Sequence, residues 1–259
     1  TNMNILRIWA IAMNGFREVI RENILYILGL FALFMLASWR LLPEVAATTE
    51  NKIIIDFGLG LIHVLSVIVT VFISTGLINK EIEKRTVLVL IPKPISQSEF
   101  IIGKHLGLSG VLIVLVTVMT CIYFAILSLN RIPYPPISII ISLVFLLIEL
   151  MLLTSVGLLF GVFTSSILAT LLTFAVYFVG HLSTDIVKLG EISKNPSIQV
   201  VTEKMYLILP DLSRFDLKNI AVYNSLPPIY KMIENGVFGV IYTVLMLSLT
   251  IIMFSRRQF

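Results

Sequence analysis

The sequence predicts an all-α integral membrane protein with six transmembrane helices, and two observations carry that expectation. The chain is 58% hydrophobic and 13% charged, with a mean hydropathy of +1.00, far above the norm for soluble domains. Its apolar residues also gather into six long runs: Asn23–Leu42, Phe57–Ile78, Leu106–Leu127, Ile137–Phe160, Ile167–Thr184 and Val237–Phe254. A bilayer span needs about 20 such residues. Backbone polar groups in hydrocarbon must be satisfied within their own segment, so continuous apolar runs read as helices. Barrel strands would alternate in polarity, and these runs do not. The whole chain, residues 1–259, reads as one transmembrane domain.

The first 22 residues form an arm. Plotted as a helix, Ile5, Ile8, Trp9, Ala12, Met13, Phe16, Val19 and Ile20 share one face, and Arg7, Asn14, Arg17, Glu18, Arg21 and Glu22 share the other. That pattern predicts an amphipathic helix lying in the interface, with Trp9 at headgroup depth. The span that follows is too long for a signal peptide and is expected to be an uncleaved anchor.

The segment between the second and third spans, residues 79–105, is charged and locally structured. Glu81, Lys84 and Arg85 sit at spacings that allow helical ion pairs. Pro92 and Pro94 then halt any helix. Ser96-Gln97-Ser98-Glu99 is an S-x-x-E capping box, with Ile95 and Phe100 placed as a hydrophobic staple. The third helix is therefore expected to start at a fixed point after a rigid elbow.

Within the spans, Gly103-x3-Gly107 and Gly157-x3-Gly161 let helices approach closely; packing inside the bundle is their expected use, with a dimer seam as the other. Cys121, the single cysteine, excludes an intrachain disulfide. Glu149 is the carboxylate deepest in a span. A charge there costs on the order of 3 kcal/mol, so it either marks a translocation path or bonds a neighbouring helix in protonated form. Thr164-Ser165-Ser166 makes a short turn, so the fourth and fifth spans are antiparallel neighbours. His181 and Asp185 are spaced i,i+4 and read as a helix-end ion pair rather than a metal site. His63 and His105 show no partner in the sequence.

The long connection of residues 185–235 is too apolar for a linker. A run beginning at Asn195-Pro196-Ser197 and halted by Pro210 predicts a short helix. LPDLSRFDLKN and Pro227-Pro228 follow. One or two short helices lying on the outer surface are expected there.

Lys/Arg placement sets the orientation. Arg7, Arg17 and Arg21 precede the first span. Lys80, Lys84, Arg85, Lys93 and Lys104 follow the second, and Arg256-Arg257 end the last. Across the membrane the first loop offers Lys52 beyond Arg40, and the second loop Arg131. Both termini and residues 79–105 are thus expected in the cytoplasm, with residues 185–235 outside. The net charge of +4 follows from this arrangement and is no nucleic-acid footprint.

The chain lacks G-x-x-x-x-G-K-[ST]: in SEFIIGKH, Ser98 and His105 occupy the positions of the first glycine and the Ser/Thr. H-E-x-x-H and G-x-S-x-G are also missing. Energy for uphill movement would have to come from a cytoplasmic partner.

At this point the residues resemble a family. Arm and first span (NGFREVIREN onward), Glu81, Arg85-Thr86, Pro94-Ile95-Ser96, Glu99-Phe100 and Gly103-Lys104, in that order, resemble the ABC-2 type permeases of ABC transporters. The small six-span bacterial kind, which includes the permease of the nitrous-oxide-reductase maturation system, is the nearest in layout. LPDLSRFDL is similar to a segment before that family's last span. Gln97 stands where many members have Arg, and the outer loop is longer. The resemblance implies an exporter subunit of the bacterial plasma (inner) membrane, embedded in lipid and paired with a second permease. Two copies of a cytoplasmic ATPase would carry the ATP and Mg, with no cofactor in this chain. It also implies a coupling helix in the elbow, with Glu81, Arg85, Thr86, Lys93, Pro94, Ser96, Glu99 and Lys104 as the contact set. The competing readings are a membrane scaffold recruiting a cytoplasmic partner and an ATP-independent secondary transporter. The latter would favour several intramembrane charges and broken helices.

Overall fold

The computed structural model describes residues 4–22, 24–45, 50–83, 96–193 and 196–256. Among them the fold is helical throughout. The arm is α1 (Ile5–Glu22) and the first span is α2 (Ile24–Val45). The remaining spans are α3 (Glu50–Glu83), α4 (Gln97–Leu129), α5 (Pro136–Phe163), α6 (Ser166–Ile192) and α9 (Ile229–Arg256). Five of these are long and apolar enough to cross a bilayer singly, and α1 with α2 makes a sixth when taken as one bent span. The protein is an all-α integral membrane protein, as expected.

Every observed spanning helix outruns its apolar stretch. In α4 the extra turns run toward the charged elbow, while α3 exceeds its apolar run at both ends; a helix does not stop where hydrocarbon stops but runs on until a cap or a proline ends the hydrogen-bond ladder. Thus α4 starts one residue after Ser96, as the capping box predicts, and α5 starts at Pro136, a residue with no N–H to lose. Residues 84–95, the body of the elbow, lie outside the described residues.

The bundle is built around α5, which packs against α3, α4, α6 and α9. Leu146, Leu150, Leu153 and Leu158 are buried along it, and Gly157 and Gly161 bring it against Ser74 and Thr75 of α3. The Gly157-x3-Gly161 pattern is therefore spent on packing within the chain.

In the connection between α6 and α9 one short helix is exposed, as expected, and the turn after it is not. The connection forms α7 (Pro196–Ile208), a 3₁₀ turn (Leu212–Phe215) and α8 (Lys218–Val222). The helix halted by Pro210 is where the sequence placed it. The 3₁₀ turn, however, is sunk into the bundle: Leu212, Phe215 and Leu217 are buried with Phe145, Leu152 and Val156 of α5. Gly180 of α6 permits this, since a Cβ there would come within 2.7 Å of Leu212 Cγ and 2.8 Å of the Pro210 carbonyl oxygen. Asp211 fixes the plug from both sides: Ser183 of α6 donates to its Oδ1 at 3.1 Å, and Arg214 Nε donates to its Oδ2 at 3.1 Å.

Candidate functional site

Two polar constellations stand out, one at the elbow end of the bundle and one at its centre. At the elbow end, Ser96 and Glu99 close the capping box. Glu99 N–H donates to Ser96 Oγ at 3.2 Å, and Ser96 N–H donates to Glu99 Oε2 at 2.9 Å. The other carboxylate oxygen accepts from Asn4 N–H at 2.7 Å, at the start of the arm. One buried carboxylate thus caps α4 and ties down α1. Beyond it α1 lies along α4 with almost no gap: a Cβ on Gly107 would come within 2.5 Å of the Ala12 carbonyl oxygen, and one on Gly103 within 2.8 Å of Ile11. Lys104 is buried beside Gly15, with its ammonium 5.8 Å from the centre of the Phe100 ring. Phe100 stacks on Phe254, centroids 5.6 Å apart, which brings the end of α9 to the same corner.

Of the residues singled out in the sequence, Ser96, Glu99 and Lys104 therefore meet here. Glu99 and Lys104 are buried, 1% and 3% exposed, so their side chains are occupied inside the chain. Glu81 lies on the last turn of α3 with its side chain outside the described set. Arg85, Thr86, Lys93 and Pro94 lie outside the described residues altogether.

At the centre, Glu149 is fully enclosed at the middle of α5. Its Oε1 lies 2.7 Å from Nε2 of His181 on α6 and 3.8 Å from Nε2 of His63 on α3. The same nitrogen of His63 is 3.0 Å from the Tyr177 hydroxyl. The rings of Tyr177 and His181 meet edge to face at 4.7 Å. Three helices are joined through one carboxylate, the arrangement by which polar side chains hold membrane helices together.

This corrects two expectations. His181 does not pair with Asp185, whose carboxylate instead takes Lys188 at 3.2 Å on an exposed stretch. Because α6 runs on to Ile192, His181 is interior to the helix rather than at its end, and it turns toward α5. His63, which shows no partner in the sequence, belongs to this cluster. His105 is bonded through Nε2 to the Met151 carbonyl at 3.0 Å and is structural.

The family model for an ABC-2 family transporter protein matches residues 9–259. The chain belongs to that family. A comparison with curated proteins finds no match to it. As an ABC-2 family member it is a permease subunit of an ABC transporter, a transport component that is not itself catalytic, and its family works with an ABC ATPase. The central cluster of this permease was beyond sequence reasoning. His63 and His181 each sit on an apolar face with no ligand spacing around them, and the separation of 114 positions from His63 to Tyr177 leaves no local signal.

Proposed function

We propose that this permease is the membrane half of an exporter in a bacterial plasma membrane, with both termini and the elbow in the cytoplasm. It pairs with a second permease, a second copy of itself in the simplest arrangement. Two copies of an ATPase subunit, holding ATP and Mg, dock beneath the pair on the segment between α3 and α4. Residues 84–95 act as the coupling element, with Glu81, Arg85, Thr86, Lys93 and Pro94 facing the ATPase. Ser96, Glu99 and Lys104 act behind that contact by stiffening it. The layout supports kinship with the small six-span permeases such as that of the nitrous-oxide-reductase maturation system.

One observation carries this reading: Glu99 clamps the arm to the start of α4. A stroke delivered to a flexible loop would be absorbed there. Delivered to a helix start that is capped, close-packed along Gly103 and Gly107 and tied to a second helix, it moves α1 and α4 together. Lys/Arg placement supports the cytoplasmic assignment.

The test is a double charge reversal, Glu81→Lys with Arg85→Glu, in the assembled transporter. We expect ATP turnover to lose its stimulation by transport while the permease still folds and inserts. Unchanged coupling in that variant rejects the elbow as the drive point.

A further inference from the structure

We propose that His63, Glu149 and His181 form a binding site for one divalent first-row transition cation of the zinc class, held inside the helix bundle. The site lies apart from the elbow and is independent of how the ATPase docks.

Convergence is the first ground. Three side chains from α3, α5 and α6 bring one nitrogen, one oxygen and one nitrogen to a single point, all within 4.8 Å of one another. Around a tetrahedral ion with bonds of about 2.0–2.1 Å, ligand atoms stand roughly 3.3 Å apart. The carboxylate oxygen is 2.7 Å from one imidazole nitrogen and 3.8 Å from the other. Shifts of about half an ångström bring both to that spacing, and the two imidazole nitrogens, within 4.8 Å of each other, close on the ion by side-chain rotation.

The second ground is an unused acceptor. Glu149 is 0% exposed, and its Oε2 has no hydrogen-bond partner among the described residues. A buried carboxylate oxygen without a donor is costly. A cation held by both carboxylate oxygens would give it a partner, and one held by Oε1 would neutralise the charge that makes the orphan costly. Tyr177 adds the remaining piece: its hydroxyl lies 3.0 Å from His63 Nε2 and orients that nitrogen. It is placed to serve as a fourth ligand or to bond a water in the fourth position.

Donor chemistry chooses the ion. Two imidazoles and one carboxylate suit Zn²⁺, Co²⁺ and Ni²⁺. Ca²⁺ and Mg²⁺ require six or more oxygens in a shell that this cluster does not supply. A bound dication would also offset the charge of a carboxylate in the membrane interior, which otherwise demands protonation or an imidazolium.

The experiment uses the full chain in detergent micelles, purified without a histidine tag, stripped with chelator and titrated with CoCl₂. The visible absorption of four-coordinate cobalt should appear, with one cobalt retained per chain after desalting and lost on adding Zn²⁺. His63→Ala and His181→Ala should each weaken retention by at least about 100-fold, beyond the range seen when only supporting residues of a metal site are changed. Tyr177→Phe should weaken it less, by about 10-fold, at the low end of the effect of a supporting residue. If either histidine variant fails to fold, X-ray absorption on the wild-type cobalt form must show two imidazoles in the coordination shell. A folded wild-type chain that retains no cobalt overturns the proposal and leaves a cluster that only shares a proton. Retention equal in wild type and both histidine variants also overturns it, by placing the metal elsewhere on the surface.

Discussion

The corner where α1 meets α4 and the cluster where α3, α5 and α6 meet are each built around one buried glutamate. They spend it differently. Glu99 has every acceptor in use: Oε1 takes Asn4 N–H, Oε2 takes Ser96 N–H, and the surrounding contacts are backbone against glycine. Its donors are peptide groups, fixed by the backbone and unable to leave. Glu149 is surrounded by side chains, two imidazoles and a phenol, that can rotate or exchange protons, and one of its oxygens is unused. The first glutamate is a rivet. The second sits in a site with capacity left over. A carboxylate satisfied by peptide N–H groups is held by the backbone itself, whereas one satisfied by side chains depends on their rotamers.

Three experiments with four substitutions test that contrast, and the largest effect is expected at the rivet. Gly107→Val would force a side chain into the Ala12 carbonyl, which α1 meets only by moving away. We expect a loss of about 3 kcal/mol, the upper end for overpacking, measured by unfolding in mixed micelles. Amide exchange in α1 should rise toward that of a free interfacial helix. Unaltered exchange in α1 would mean that the arm is not clamped to α4.

The central cluster should respond less. His181→Phe keeps the ring volume and takes away the partner of Glu149 Oε1. We expect a loss of about 1–2 kcal/mol, and adding Glu149→Leu should recover most of it, because both polar groups then leave together. If the two losses simply add, the 2.7 Å contact carries no coupling and the cluster is incidental packing.

The smallest of the three separates the cap from the glycine contact. Ser96→Ala removes the hydroxyl that accepts Glu99 N–H while leaving the Asn4 bond in place, and should cost about 1 kcal/mol. Hydrogen exchange should quicken in the first turn of α4 and stay the same in α1. Equal quickening in both helices would show that cap and clamp are a single unit.

Much of this architecture was legible in the chain. Five of the six apolar runs became helices able to span alone, and the first became α2, which spans only together with the arm; Ser96 and Glu99 gave the start of α4, Pro196 and Pro210 bracketed α7, and Gly157-x3-Gly161 marked a close helix contact. These are local signals, set by spacing along one segment and read within a few turns. The misreadings share a cause. His181 and Asp185 read as a pair because they are four residues apart, and the connection holding LPDLSRFDL reads as surface because Asp211, Ser213, Arg214 and Asp216 interrupt its apolar residues. In the structure Asp211 and Arg214 spend their charges on each other and on α6, which frees Leu212 and Phe215 to bury.

The sequence by itself determined that this protein lives in a bilayer, how many times the chain is able to cross it, and where its helices are capped. Those follow from hydrophobic run length and from backbone hydrogen bonding, both short-range properties. Only the tertiary structure decided which faces of the helices meet. It placed two histidines from separate spans on one glutamate, and it sank the LSRF turn between α5 and α6. The reason is physical: every spanning helix is apolar nearly all round, so periodicity names no inward face. Lipid and protein interior are equally apolar, and the choice falls to shape and to the few polar groups that must find each other.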